Sequence, residues 1–225
     1  MADQIPVYRL KKIKNLPALT ANIDAAPWRD LPEFGPLHLL GTPGDLPACK
    51  TITKACWDDT SIRILWHCED DAIRAVYTNR DDPLWSEEVV ELFVCPGRNL
   101  TDYFEFNFNP LGAVFDAHIS NPSIIRDQTF KPDIPWNCEA LTWKVIGEGK
   151  FNGTAKEDKW WAVEANIPFA SLGGAKAPSS GEYWHANVFR IERSEPVQYC
   201  SWSMLPVFKP GFHQADRFGS WVFVE

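Results

Sequence analysis

A chain of 225 residues with 45% hydrophobic content is long enough to bury a sizeable core as one large β domain. Its 22 basic against 30 acidic residues, a net charge of −8, speak against a nucleic-acid partner, which needs a basic patch to gain counterion-release energy. No stretch approaches the roughly 20 apolar residues of a membrane span, while 11 Trp, 14 Phe and 18 Pro describe short strands, frequent turns and aromatic surface to spare for stacking.

In chain order, Met1 to Leu10 has no apolar h-region, which predicts a chain that is cytoplasmic as written, or secreted or periplasmic with a leader already removed. Val7 to Leu10 reads as a first strand within a lead-in over 1–22, and Phe34 to Leu40 as a weak one. Lys50 to Trp57 and Ser61 to Cys68 read as a hairpin turning at Asp58-Asp59-Thr60. Ala72 to Tyr77 is a further possible strand. The six cysteines form no C-x-x-C pair and sit mostly in apolar runs, which favours reduced, structural thiols over a disulfide framework.

Next comes N-R-D-D-P-L-W-S-E-E-V-V-E-L-F-V, residues 79–94. It delivers Trp85 at the mouth of an apolar strand that carries one acid, Glu91, among Val89, Val90, Leu92 and Phe93. A carboxylate in such a run costs desolvation unless something hydrogen-bonds it, so Glu91 is either a structural partner or part of a site. Trp85 is likewise either a core plug or a stacking platform. Tyr103 to Asn109 shows the clearest alternation, with Phe104, Phe106 and Phe108 on a core face and Tyr103, Glu105, Asn107 and Asn109 on the other.

Ala113 to Ile119 is its expected partner strand, and Asn121 to Pro135, with three prolines, reads as a long loop of the kind that is often functional or mobile. Strands are expected over Glu139 to Ile146, Trp160 to Ile167, Tyr183 to Arg193, Tyr199 to Met204 and Phe218 to Val224. No segment sustains a 3.6-residue apolar period. The fold class is therefore all-β, a single domain over 23–225 built as a two-sheet antiparallel β-sandwich of jelly-roll or immunoglobulin-like type.

The order of W-D-D (57–59), L-W-S-E-E-V-V-E-L-F-V (84–94), Y-F-E-F-N-F-N-P-L-G (103–112), W-W-A-V-E-A-N-I-P-F (160–169), W-H-A-N-V-F-R (184–190), S-W-S (201–203) and F-H-Q-A-D-R-F-G (212–219) resembles the family 9 carbohydrate-binding modules. It looks most like their stand-alone branch, within the wider DOMON-like sandwich group. The resemblance implies a non-catalytic sugar binder that grips a pyranose between two aromatic rings, in a setting of xylan or cellulose degradation. Carried over, Trp85 is the first ring, Glu91 the strand acid that accepts sugar hydroxyls, and Asn107 a strand amide. The second ring falls at Phe212-His213, where the sugar binders have Trp. Glu105 stands where they have a basic residue.

The chemistry asks for a flat aromatic under the C–H face of the sugar and paired donors and acceptors around its hydroxyls. Trp85, Glu91, Asn107 and Arg190 make such a set, although Arg190 could instead pair with Glu91 or Glu105 as a buried ion pair. No cofactor is required. The resemblance allows a structural Ca2+, for which Asp70, Asp71, Asp81 and Asp82 are the oxygen donors considered, against the plainer reading of solvated turn acids. Two other functions stay open: a haem-binding electron-transfer domain using Met204 and His213, and a glycoside-active enzyme using acids such as Glu88, Glu91 and Glu105.

Overall fold

The computed structural model describes residues 5–42, 44–153, 157–193, 195–205 and 211–225. The first four residues of the expected lead-in lie outside them. Thirteen strands form: β1 (Val7–Lys12), β2 (His38–Leu39), β3 (Thr51–Trp57), β4 (Ser61–Glu69), β5 (Val89–Cys95), β6 (Asp102–Phe108), β7 (Val114–Ser120), β8 (Lys131–Asp133), β9 (Thr142–Glu148), β10 (Trp160–Pro168), β11 (Tyr183–Glu192), β12 (Gln198–Ser201) and β13 (Gly219–Val224). The described helical segments are single 3-10 turns of three residues. No helix among the described residues is long and apolar enough to cross a membrane.

The fold is all-β, but its hydrogen bonding runs through one continuous mixed sheet, in the order β8-β7-β6-β5-β11-β13-β1-β3-β4-β10-β9, with β12 and β2 branching from β11. Two pairings are parallel, β1 with β13 and β1 with β3. A purely antiparallel two-sheet reading follows naturally from local hairpins such as β3–β4, whereas these parallel pairs join segments distant in sequence. The sheet curls so that its two wings face each other. Trp66 of β4 meets Phe108 of β6 at 5.8 Å between ring centroids, and Trp143 of β9 lies 6.3 Å from the same Phe108. Trp57, Trp66, Trp161 and Trp202 are all buried.

The strict alternation of β6 has a consequence. Phe104, Phe106 and Phe108 enter this main core, while Tyr103 joins a second apolar cluster on the opposite face, with Val89, Phe93, Phe115, Phe189 and Phe212. Both faces of the β5–β6–β7–β11 wing are thus covered, the outer one by Ile124, Phe130, Leu205, Phe212, Ala215 and Phe218 among others.

Two expected strands differ. Ala72 to Tyr77 is irregular, because its N–H groups donate to side chains rather than to a neighbouring strand: Ile73 to Asp158 Oδ2 at 2.8 Å, Ala75 to Asn152 Oδ1 at 3.0 Å and Val76 to Glu87 Oε2 at 2.6 Å. Phe34 to Leu40 shrinks to the two residues of β2. The lead-in is built into the fold: β1 lies between β13 and β3, and Glu164 Oε2 accepts from the N–H groups of Thr20 and Ala21, both at 2.7 Å.

Candidate binding cleft

Three acids lie between Trp85 and the end of β5, and period-2 geometry sends them to three places. Glu87 braces the turn that carries Trp85: its Oε1 accepts from Asn109 Nδ2 at 2.6 Å, and its Oε2 from the N–H of Val76. Glu88 turns inward, to the main-core side. Glu91 turns outward, to the floor of a cleft of about 480 Å3.

That cleft is lined by Trp85, Glu91, Phe93, Glu105, Phe115, Arg126, Phe130, Ile191, Tyr199, Phe212 and His213, with Leu40, Pro132, Ile134 and Gly211 at its margins. Trp85 stands 46% exposed at the cleft, with its ring plane nearly perpendicular to that of Phe115 at 5.0 Å, and so leaves ring surface for a partner. Phe212 is stacked on Phe189 at 4.2 Å. Asn107 lies opposite Glu91 across the β5–β6 ladder and donates to Glu105 Oε1 at 3.0 Å. Of the six residues expected at a ligand site, four line the cleft and Asn107 adjoins it.

Arg190 is the exception. It sits opposite Val90 in the ladder and points to the other face of the sheet. There it donates to Thr51 Oγ1 at 3.1 Å, to the Glu69 carbonyl at 2.9 Å and to Asp70 Oδ2 at 2.9 Å. Only 1% exposed, it is a buried structural ion pair, with Asp70 as partner rather than Glu91 or Glu105.

Residues unforeseen from the sequence come from the Pro-rich loop. Arg126, Phe130, Pro132 and Ile134 form one wall. The loop is tied to the 211–215 segment by hydrogen bonds from Arg126 N to His213 O at 3.0 Å and from Ala215 N to Ile124 O at 2.7 Å, so one short ladder positions Phe130 and His213 together. The loop's length and prolines were the available signal.

The electrostatics of the floor are set by burial. Desolvation, then the charge of Glu105, raises Glu91 well above its ordinary value, and desolvation pushes Glu105 up to about 7 against the opposing hydrogen bond of Asn107 and charge of Arg126. His213 is held down to about 3, chiefly by burial and then by Arg126, and is therefore neutral. Its Nδ1 contacts the Tyr103 hydroxyl at 2.8 Å while Nε2 faces Glu105 Oε2 at 3.8 Å.

The acids considered for Ca2+ do not gather. Asp82 caps the Asn79 turn, accepting from its N–H at 2.9 Å, and Asp81 takes a positive φ of 64° beside it. Among the described residues, the acids whose oxygens lie within 4.8 Å of one another are Asp70, Glu88 and Glu192, all buried. Of the four expected donors only Asp70 belongs to this group. The donor chemistry suits a hard divalent cation, but the Arg190 guanidinium already brings one positive charge to the cluster. Burial, then the neighbouring Asp70, pushes Glu88 up to about 10.

An open tryptophan over a floor of buried acids and amide, walled by further rings, defines a small-ligand cleft of the kind that holds a flat, hydroxyl-bearing molecule. The chain belongs to carbohydrate-binding family 9, whose profile matches residues 46–223. Three solved structures share the fold. One, from Bacteroides uniformis ATCC 8492 and provisionally assigned to carbohydrate binding, has a TM-score of 0.72 at 14% identity and covers 98% of this chain and 100% of its own. A family 9 module from Caldicellulosiruptor kristjanssonii in complex with glucose has a TM-score of 0.61 at 13% identity, covering 96% of this chain and 95% of its own. The same organism's module in complex with cellotriose gives 0.60 at 13% identity, with 96% and 94% covered. No curated protein matches the chain.

Proposed function

We propose that the chain is a non-catalytic sugar-binding domain in which the C–H face of a pyranose stacks on Trp85. Glu91, Asn107 and Glu105 take its hydroxyls, and Phe212 and His213 close the far side. The observation that carries this reading is the meeting, in one cleft, of a ring with exposed surface and a buried acceptor, Glu91 Oε1, that has no partner among the described residues. Buried polar atoms are normally satisfied, and a hydroxyl-rich ligand supplies the missing donors. On the same footing we place the chain in the wider DOMON-like sandwich group, and its setting in xylan or cellulose degradation.

The test is tryptophan fluorescence of the wild type and of Trp85→Ala, titrated with glucose, cellobiose and cellotriose. A saturable shift weakened about 30-fold or more in Trp85→Ala, the loss typical of a central aromatic anchor, is the expected result. A folded wild type that responds to no sugar overturns the reading.

The expected structural Ca2+ we assign to Asp70, Glu88 and Glu192, on the strength of three buried carboxylates whose oxygens lie within 4.8 Å of one another. Added Ca2+ then raises the Tm of the wild type and not of Glu88→Gln; a wild-type Tm that ignores both Ca2+ and chelator rejects the assignment.

A further inference from the structure

We propose that the cleft selects a sugar bearing a protonated amino group, of the amino-deoxyhexose kind, over its neutral counterpart, seating the ammonium between Glu91 and Glu105. The proposal rests on the sugar-binding reading above and goes beyond it in naming the ligand's charge.

The first argument is donor counting. The floor is made by neighbouring strands, with Glu91 opposite Asn107 and Glu105 opposite Phe93, so the two carboxyls are diagonal neighbours on one face of the sheet. They are 1% and 6% exposed. The Asn107 amide gives one hydrogen to Glu105 Oε1, and both Glu91 Oε1 and Asn107 Oδ1 are buried with no partner. His213 cannot make up the deficit, because its Nδ1 is engaged with Tyr103 and its Nε2 is 3.8 Å from Glu105, beyond a hydrogen bond. Among the described residues, the floor therefore presents several acceptors to one fixed donor.

The second argument is charge. Among the described residues, the titratable groups facing the pair are neutral His213 with Tyr103 behind it, Tyr199 across the cleft, and Arg126 at the rim. Arg126 is exposed and lies over the Phe130 ring at 4.7 Å, so its charge reaches Glu105 from the solvent-screened rim and leaves the buried pair without a cation at its side. Burial raises both acids, Glu105 to about 7 and Glu91, which also feels the charge of Glu105, well above its ordinary value, so the pair holds protons that a bound cation can displace. A sugar hydroxyl donates one hydrogen bond, also demands one, and brings no charge. An ammonium donates three, accepts none, and replaces the shared proton as counter-charge. The rest of the sugar keeps its apolar support, because Trp85, Phe115, Phe130 and Phe212 wall the cleft.

The test is isothermal titration of the full chain with D-glucose, D-glucosamine and N-acetyl-D-glucosamine at about pH 6, where an amine is charged, repeated in buffers of different ionisation heat. Glucosamine is expected to bind about 10-fold or more tightly than glucose, with release of protons to the buffer, and the acetylated sugar, which has lost the cation, to show no such gain. Glu105→Gln and, separately, Glu91→Gln should each collapse the ratio of glucosamine to glucose affinity, whatever happens to either affinity alone. Glucose binding as tightly as glucosamine overturns this proposal and leaves the sugar-binding reading intact. Silence toward all three sugars overturns both.

Discussion

A buried charge cluster lies on each face of the sheet around β5, and the two are built differently. On the inner face, Asp70, Glu88 and Glu192 surround a guanidinium that the chain itself supplies from Arg190. On the outer face, Glu91 and Glu105 have an amide, a neutral imidazole and a cleft, and no buried cation among the described residues. The inner cluster carries a counter-charge from the chain itself, because an unpaired buried ion costs several kcal/mol. A cluster that leaves acceptors unpaired and open to a cleft holds them for something arriving from outside.

The strongest way to break this comparison is to remove the inner cation. Arg190→Met should lower stability by about 3–5 kcal/mol, since Asp70 and its neighbours lose their partner, and urea unfolding measures it. A loss within about 0.5 kcal/mol, the ordinary range for surface changes, would mean that the inner cluster is not held by its arginine.

A middle-sized effect sharpens the outer half. The fold raises Glu105 from 4.5 to about 7, so the folded state holds a proton that the unfolded chain gives up, and stability falls as pH rises through that window. His213 works in the opposite sense: lowered from 6.5 to about 3, it costs stability as pH falls through that interval. The two slopes offset each other between 4.5 and 6.5. Glu105→Gln should therefore gain on the order of 2 kcal/mol at pH 8, and the difference between its curve of Tm against pH and that of the wild type isolates the Glu105 slope.

The smallest expected effect lies at the rim. Arg126→Gln should leave stability within about 0.5 kcal/mol, because the side chain is exposed. It should nevertheless move the Glu105 titration upward, since the arginine's charge favours the ionised carboxylate. Carboxyl carbon NMR follows that shift, and an unmoved Glu105 would remove Arg126 from the electrostatics of the floor.

Where the sequence spoke plainly, it did so through periodicity. Alternation over Tyr103 to Asn109 separated the two faces of β6 correctly, and the misplaced acid in Val89 to Phe93 led to the cleft floor. The same rule, pressed further, would have placed Arg190. It shares parity with Trp184, Ala186 and Val188, all core residues, and opposes Asn187 and Phe189. Chemical suitability for a sugar outweighed that geometric signal. The parallel pairings of β1 left no local trace, because each joins segments far apart in the chain. Phe130 and Arg126 were equally hidden, since the bonds of Arg126 and Ala215 that fix their loop reach backbone of the 211–215 and 121–135 segments reciprocally, and no motif encodes such contacts.

The position of β13 has a further consequence, for the order in which the molecule is assembled. The final strand in sequence, 219–224, is also the hinge of the sheet, the hydrogen-bonded link between β11 on one wing and β1 on the other. A growing chain that has not yet released it presents two open strand edges, on β1 and on β11, which invite pairing with other chains. Folding that waits on contacts between residues 7–11 and 220–224 spans nearly the whole sequence and belongs to the slow, millisecond-to-second class. Synthesis cut short before this strand would therefore yield aggregation rather than a smaller working domain.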